Sequence, residues 1–523
     1  MRGIALIVAI LAVLANTGAA HAHASLIRSE PADRAVVAQP PSELKLTFNE
    51  PVSPLVLRLV RPNGEVVELK NIAASAVTIA VALPAGLSRG THLLSWRVIS
   101  ADGHPVGGAL TFSIGEPGAT PAPLRTDADI GLRGAIWLAR FFLYGGLFIG
   151  VGGAFYSCWI AAAPPPGRTR NAVTIALECG LVAALLSVGL QGIDVLGLPL
   201  SDIRMPRIWG NGLATAYGVT LSIAVGALAL GLVSISITKP LARWFSALAL
   251  AGVGVALAAS GHAATAWPEL ATRPAVFLHG ISVAFWVGAL APLAIALHAG
   301  AGRSELARFS KVIPLPLLVL VASGLLLAIV QVRRLESLWT TSYGLILSAK
   351  LVAVCALLSL AAMNRRLTPR VTADEAGPSR RLARSIAAEL ALVVVILGLV
   401  ASWRFTPPPR SLLAVAAQPI HVHMHAEKVM ADLQIGPGDD RQITLSLLDG
   451  QFRPLPAKEV VLVLSKPEAG IEPLRLPAVQ VEASIWRIEG VRLPMPGQWH
   501  VRVEVLVSDF EKVSVEDEVD FSR

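Results

Sequence analysis

Eleven histidines and three cysteines are spread over 523 residues, and several fall in patterns with metal chemistry. His23 stands near the start, and the stretch ISADGHPVGG places Asp102 and His104 two apart. A free amino-terminal His23 would offer its amine and ring nitrogen to one ion as a chelate. The D-G-H triplet would add a carboxylate and a second imidazole, a nitrogen–oxygen set that suits tetragonal Cu(II). The same triplet is also a turn signal, shaped by Gly103 and Pro105. His262 and His279 bound the polar link HAATAWPELATRP between two apolar runs. Ionisable groups at membrane depth are costly and default to functional hypotheses. These two would receive copper, act as axial ligands to a single haem, or bond to backbone at the interface. His421, His423 and His425 alternate in PIHVHMHAEKV. On a strand such residues share a face about 6.6–7 Å apart, so H-x-H closes on one metal or forms a solvated polar face. Cys158, Cys179 and Cys355 lie in apolar runs near Met363. Sulfur ligands prefer Cu(I), which makes a soft exit site of these three conceivable, although free cysteines in apolar helices also serve as small core residues.

The elements that must position these residues follow from composition and periodicity. The chain is 54% hydrophobic and 15% charged, with repeated apolar runs of membrane-spanning length, so it reads as an integral membrane protein. The formal charge of +8 comes without basic patches interleaved with aromatics, which argues against nucleic-acid binding. Residues 1–22 have a charged start, an apolar run and Ala20-His21-Ala22, the pattern of a secretory signal. Cleavage after Ala22 would expose His23; cleavage after Ala24 would remove it. Residues 23–115 alternate with period two, as in Leu44, Leu46, Phe48 and Leu94, Trp96, Val98, which predicts an antiparallel β-sandwich or barrel. A Pro/Gly-rich linker covers 116–130.

Residues 131–405 hold eight apolar spans, near 134–161, 173–195, 213–237, 241–261, 274–298, 313–332, 343–363 and 386–403. One set of alternate loops carries Arg168, Arg170, Lys239, Arg243, Arg303, Arg308, Lys311, Arg365, Arg366, Arg370, Arg380, Arg381 and Arg384. The other carries Arg204, Arg207, Arg273, Arg333 and Arg334. The positive-inside rule puts the richer set in the cytoplasm and both soluble ends outside. Within the spans, Lys350 lies two turns deep and needs a partner or a watery cavity. Glu178 and Glu389 are expected to snorkel towards the cytoplasmic surface. Residues 411–523 alternate again, through Ile443, Leu445, Leu447 and Trp499, Val501, Val503, Val505, and predict a second β-sandwich. The fold class is therefore multidomain: all-β, then an all-α eight-helix membrane domain, then all-β.

Three stretches carry family resemblances. HASLIRSEPADRAVVAQPPSELKLTFNEPV with SWRVISADGHPVGGALTFSIG resembles the CopC family of periplasmic copper-binding domains. That resemblance implies Cu(II) ligation by His23, Asp102 and His104. Methionine is absent from His23 to Gly115, which predicts a Cu(II)-only domain. LHGISVAFWVGALAPL, TTSYGLILSAKLVAV and MNRRLTP resemble the CopD family of inner-membrane copper proteins, through His279, Trp286, Gly288, Tyr343, Gly344, Lys350, Asn364 and Arg365. IHVHMHAEKVMADLQIGPG and PMPGQWHVRVEVLVSDFE look like YtkA-like external domains.

These resemblances imply a copper import or homeostasis protein, not an enzyme, in a bacterial inner membrane with both soluble domains in the periplasm. Its expected partners are copper ions, the lipid bilayer and periplasmic copper chaperones or reductases. No Walker A loop or P-type phosphorylation motif is present, so movement would be passive, coupled to another gradient, or dependent on reduction by a partner. The alternative is a haem-containing membrane oxidoreductase that reduces delivered Cu(II). An oxygen-activating copper enzyme ranks last, because Asp102 would occupy a coordination position.

Overall fold

The computed structural model describes residues 26–48, 51–75, 77–100, 105–116, 118, 130–161, 167–238, 240–299, 302–372, 376–410, 419–426, 428–438, 440–451 and 453–521. The signal segment, His23, the D-G-H triplet and most of the linker lie outside the described residues. The chain forms two compact units, one built on the helical domain and one holding both β-domains.

The N-terminal domain has nine strands: β1 (Leu26–Glu30), β2 (Ala35–Val37), β3 (Glu43–Phe48), β4 (Val52–Val60), β5 (Val66–Glu68), β6 (Ile72–Ser75), β7 (Thr78–Ala82), β8 (Gly90–Ser100) and β9 (Pro105–Ile114). They form two sheets, β1-β3-β7-β6 and β2-β9-β8-β4-β5. The period-two residues meet between them: Leu44, Leu46, Phe48, Leu94, Trp96, Val98, Leu110, Phe112 and Ile114 all belong to one buried core. One pairing departs from the antiparallel expectation, since β2 runs parallel to β9. The chain changes sheets between Glu30 and Ala35, and Asp33 fixes the crossing by accepting the Thr111 N–H at 2.8 Å.

The C-terminal domain is the expected second sandwich. Its strands are β10 (Ile420–His425), β11 (Val429–Ile435), β12 (Arg441–Asp449), β13 (Glu459–Lys466), β14 (Ile471–Pro477), β15 (Val479–Glu482), β16 (Ile485–Val491), β17 (Gln498–Ser508) and β18 (Glu511–Asp520). The sheets run β10-β11-β12-β16-β15 and β14-β13-β17-β18. Trp499, Val501, Val503 and Val505 are fully buried between them. The two β-domains share an ion pair, Arg34 to Asp517 at 2.7 Å.

The helical domain has eight helices long and apolar enough to cross a membrane, one for each expected span. Spans one to eight are Ile130–Trp159, Gly167–Leu196, Ala216–Ser236, Leu241–Ala259, Glu269–His298, Pro314–Val332, Ser342–Pro369 and Arg381–Phe405. Small residues set their approach. A Cβ on Gly152 of span one would overlap the Ala284 carbonyl of span five, and one on Gly288 would overlap Gly152 backbone. Close crossings through small residues are the usual packing device where lipid removes the hydrophobic drive between helices. Span one also carries a π-helical turn, Gly146–Val151, immediately before that crossing.

Candidate functional site

Several polar residues within the spans lie towards the linker end of the helical domain, where odd-numbered spans begin and even-numbered spans finish. His279 lies ten residues into span five, about 15 Å along the axis at 1.5 Å per residue. Its Nδ1 sits 3.2 Å from Ser323 Oγ of span six. Ser323 spends its own proton on the Val319 carbonyl, 2.6 Å away, as a serine one turn into its own helix commonly does. The hydroxyl oxygen can then accept from Nδ1–H of His279, the tautomer in which Nε2 keeps its lone pair. Gly324 makes room for the ring: a Cβ there would lie 3.1 Å from His279 Cε1. A side chain at either Ser323 or Gly324 that was larger or apolar would displace or reorient this imidazole.

Lys350 lies eight residues into span seven, about 12 Å from its start. Its partner is aromatic. The ammonium sits over the Trp403 ring at 4.6 Å from the centroid, and Trp403 stacks on Tyr343 at 5.0 Å with 9° between planes. A cation on a desolvated indole face gains about 2 kcal/mol or more, which offsets part of the cost of removing an ammonium from water. Gly344 permits the tight start of this span, since a Cβ there would overlap the Ser337 carbonyl.

His262 is held through its backbone. It lies in the link between spans four and five, where its carbonyl accepts from Gln331 Nε2 at 2.9 Å and from Arg410 at 3.0 Å. Gln331 lies on span six, eight residues beyond Ser323. Arg410 also donates to Gln331 Oε1 at 2.9 Å, tying the segment after span eight to the His262 link.

Several polar residues of this end were passed over in the sequence. Arg404, 7% exposed, donates to Asp194 and joins span eight to span two. Arg140 of span one lies over the Tyr217 ring at 4.3 Å, beside a small hollow lined also by Ser187 and Gln191. The signal was present: Arg140, Asp194 and Arg404 are charges within or at the ends of apolar runs, where each needs a partner.

At the opposite end Glu178 is on an exposed face of span two. Glu389 corrects the expectation. It is 3% exposed and accepts from Asn364 Nδ2 at 2.6 Å, linking spans seven and eight. Cys158 is buried with Sγ 3.8 Å from the Ser234 carbonyl, whereas Cys179 and Cys355 are on exposed faces. Among the described residues no group of three or more His, Cys, Asp or Glu is arranged to hold a metal ion, so these cysteines are not gathered into one exit site. The side chains of His421, His423 and His425 lie outside the described residues, although their strand is described. His23, Asp102 and His104 lie outside them altogether; the triplet falls between the last residue of β8 and the first of β9.

Comparison with known proteins covers most of the chain. The CopC domain family matches residues 26–115. The family described as the N-terminal domain of copper resistance protein D-like proteins matches 131–270, and copper resistance protein D matches 303–403. Copper transport protein CutJ of Bacillus subtilis (strain 168) is 24% identical over 94% of this chain and 95% of its own length. Copper resistance protein C of Xanthomonas campestris pv. juglandis is 33% identical over 22% of this chain and 96% of its own length. Among solved structures, CopC from Methylosinus trichosporium OB3b is 27% identical over 19% of this chain and 100% of its own, with a TM-score of 0.17.

Proposed function

Because this chain belongs to the family of CopC–CopD fused copper-resistance proteins, we infer that it takes up Cu(II) on the periplasmic side and passes copper inward through its eight-span domain. It is a multi-pass membrane protein of copper transport or resistance. Copper is the cargo. The full-length similarity to a protein named for copper transport supports movement over storage. The excess of Lys and Arg in one set of loops supports a topology with both soluble domains outside.

The observation that carries the membrane part is the His279–Ser323 contact. Histidines that ligate metals almost always donate their other ring N–H to a fixed oxygen, which sets the tautomer and points the second nitrogen at the ion. His279 has that arrangement inside an apolar bundle, at a depth where an imidazole without a function would be a costly choice. Copper captured outside would be handed to Nε2 of His279 as its first contact within the membrane. Lys350, held against Trp403, then keeps its charge turned to a ring face. For capture, His23, Asp102 and His104 supply the nitrogen and oxygen ligands that Cu(II) prefers.

Capture is tested by Cu(II) titration of the full-length protein in detergent, read by EPR. Wild type should show a tight tetragonal, nitrogen-rich signal that weakens at least tenfold in His104→Gln and in Asp102→Asn. An unchanged signal in both variants sinks the ligand set.

A further inference from the structure

Spans seven and eight meet at a polar pair that the transport reading leaves without a part. Glu389 lies eight residues into span eight from Arg381, about 12 Å along the axis. It is 3% exposed, and Asn364 of span seven is 8% exposed. Their surroundings are apolar. Ile386 and Val393, three residues before Glu389 and four after it, share its helix face and are buried. Leu357, two turns before Asn364 on the same side of span seven, is buried likewise, and Leu293 and Leu297 of span five belong to the same core.

No cation balances this carboxyl. Spans one, five and seven pack against span eight. In the half of the domain that holds Glu389, their titratable and charged residues are Tyr156 and Cys158 of span one, His298 of span five, and Cys355, Arg365 and Arg366 of span seven. Arg381 and Arg384 lie on span eight itself. Tyr156 and Cys158 are buried and the others exposed. Among the described residues none of these bonds to Glu389, whose hydrogen bond comes from Asn364 Nδ2 at 2.6 Å. An ionised carboxylate without a cationic partner is costly in such a place and takes up a proton instead.

The amide supplies a second, independent sign of that proton. Asn364 Oδ1 is buried and has no hydrogen-bond donor. Such an orphan in a folded core calls for an explanation. A carboxylic acid and a primary amide are complementary: one carboxyl oxygen accepts from the amide N–H, and the other donates its proton to the amide oxygen. The first of these bonds is present. A proton on Glu389 Oε2 would supply the donor that Oδ1 lacks.

We propose that Glu389 and Asn364 form a proton-binding site, and that the proton it carries moves inward together with copper. The coupling rests on the copper reading, whereas the proton site itself comes from the pair. The step is an O–H bond made at Glu389 with a proton that entered from outside, then broken as that proton leaves to the cytoplasm. No electrons move. Ionisable groups of this kind inside helical bundles mark proton relays, and a site in the half remote from the linker end is placed to discharge an inward-moving proton.

The test uses the full-length protein in proteoliposomes, with copper-sensitive and pH-sensitive dyes in the lumen and the membrane potential clamped by a potassium ionophore. With the outside more acid than the lumen, wild type should take up copper faster and acidify the lumen as it does so. At one proton per copper, one pH unit shifts the final copper ratio by up to about tenfold. In Glu389→Gln the uptake rate should no longer respond to the pH gradient, and Glu389→Asp should regain part of the response. A wild type indifferent to the gradient, or accelerated by the opposite one, overturns the proposal. So does a Glu389→Gln variant with the full response. Should that variant lose its thermal transition, Asn364→Ser decides: a response at least halved supports the site, and a full one removes it. Should wild type carry no copper at all, the copper reading fails and infrared spectroscopy at neutral pH decides the proton site alone. A protonated-carboxyl band that Glu389→Gln lacks and Asn364→Ser shifts supports it; spectra alike in wild type and Glu389→Gln remove it.

Discussion

Replacing Asn364 by leucine tests whether the helical domain buries Glu389 or lets it reach the membrane surface. Glu389 is 3% exposed and accepts one hydrogen bond from Asn364 at 2.6 Å. Asn364→Leu removes the donor, conserves volume roughly, and leaves the carboxyl in apolar surroundings. A buried polar group stripped of its partner costs about 1–3 kcal/mol. Interhelical hydrogen bonds in membranes average about 0.6 kcal/mol with a maximum near 1.7, because the unfolded reference also finds partners. The short contact and deep burial place this pair at the upper end of the membrane range, so about 1.5 kcal/mol is expected. For a domain of this size that lowers Tm by about 3–6 °C. The double variant Asn364→Leu, Glu389→Leu should recover most of the loss, because an apolar pair has no unsatisfied group. Thermal unfolding in one detergent, arranged as a double-mutant cycle, gives the coupling directly. A Glu389 that snorkels would make Asn364→Leu cost a few tenths of a kcal/mol with no coupling, and that result would refute the burial argument.

Two further outcomes follow from named contacts. Trp403→Leu removes the ring under Lys350 and the stacking partner of Tyr343, whereas Lys350→Met removes only the ammonium that had to be desolvated. Trp403→Leu should therefore destabilise the helical domain by about 2 kcal/mol or more, and Lys350→Met much less; the reverse order in thermal unfolding would contradict the cation–ring account. His92 is fully buried, bonded to the Ser88 carbonyl at 2.8 Å and stacked on Phe112, and burial holds its pKa below the usual value. The unfolded chain therefore binds the proton first as pH falls below about 6.5, so the N-terminal domain loses stability on acidification. Hydrogen exchange at β8 amides should show that loss between pH 7 and 5.5 in wild type and a smaller one in His92→Leu. Equal losses in both would remove His92 as the cause.

The architecture was readable because each layer has its own period. Leu44, Leu46 and Phe48 announce a strand buried on one face, and the helices carry runs too long and apolar for any soluble role. The parallel pairing of β2 was not readable, since it depends on Asp33 reaching Thr111 far along the chain. Individual polar residues were identified more easily than their partners. His279, Lys350 and Asn364 stood out as polar groups within or at the ends of apolar segments, but Ser323, Trp403 and Glu389 became their partners only through helix rotation, which local sequence does not encode.

The most direct test of the transport account is copper entry into proteoliposomes holding the full-length protein, read by a copper-sensitive dye in the lumen, with Cu(II) alone and with Cu(II) plus reductant in separate arms. Wild type should carry copper in at least one arm, and His279→Leu should slow entry at least tenfold while keeping its thermal transition. Entry at the wild-type rate through a folded His279→Leu protein, or no entry through wild type in either arm, would contradict it.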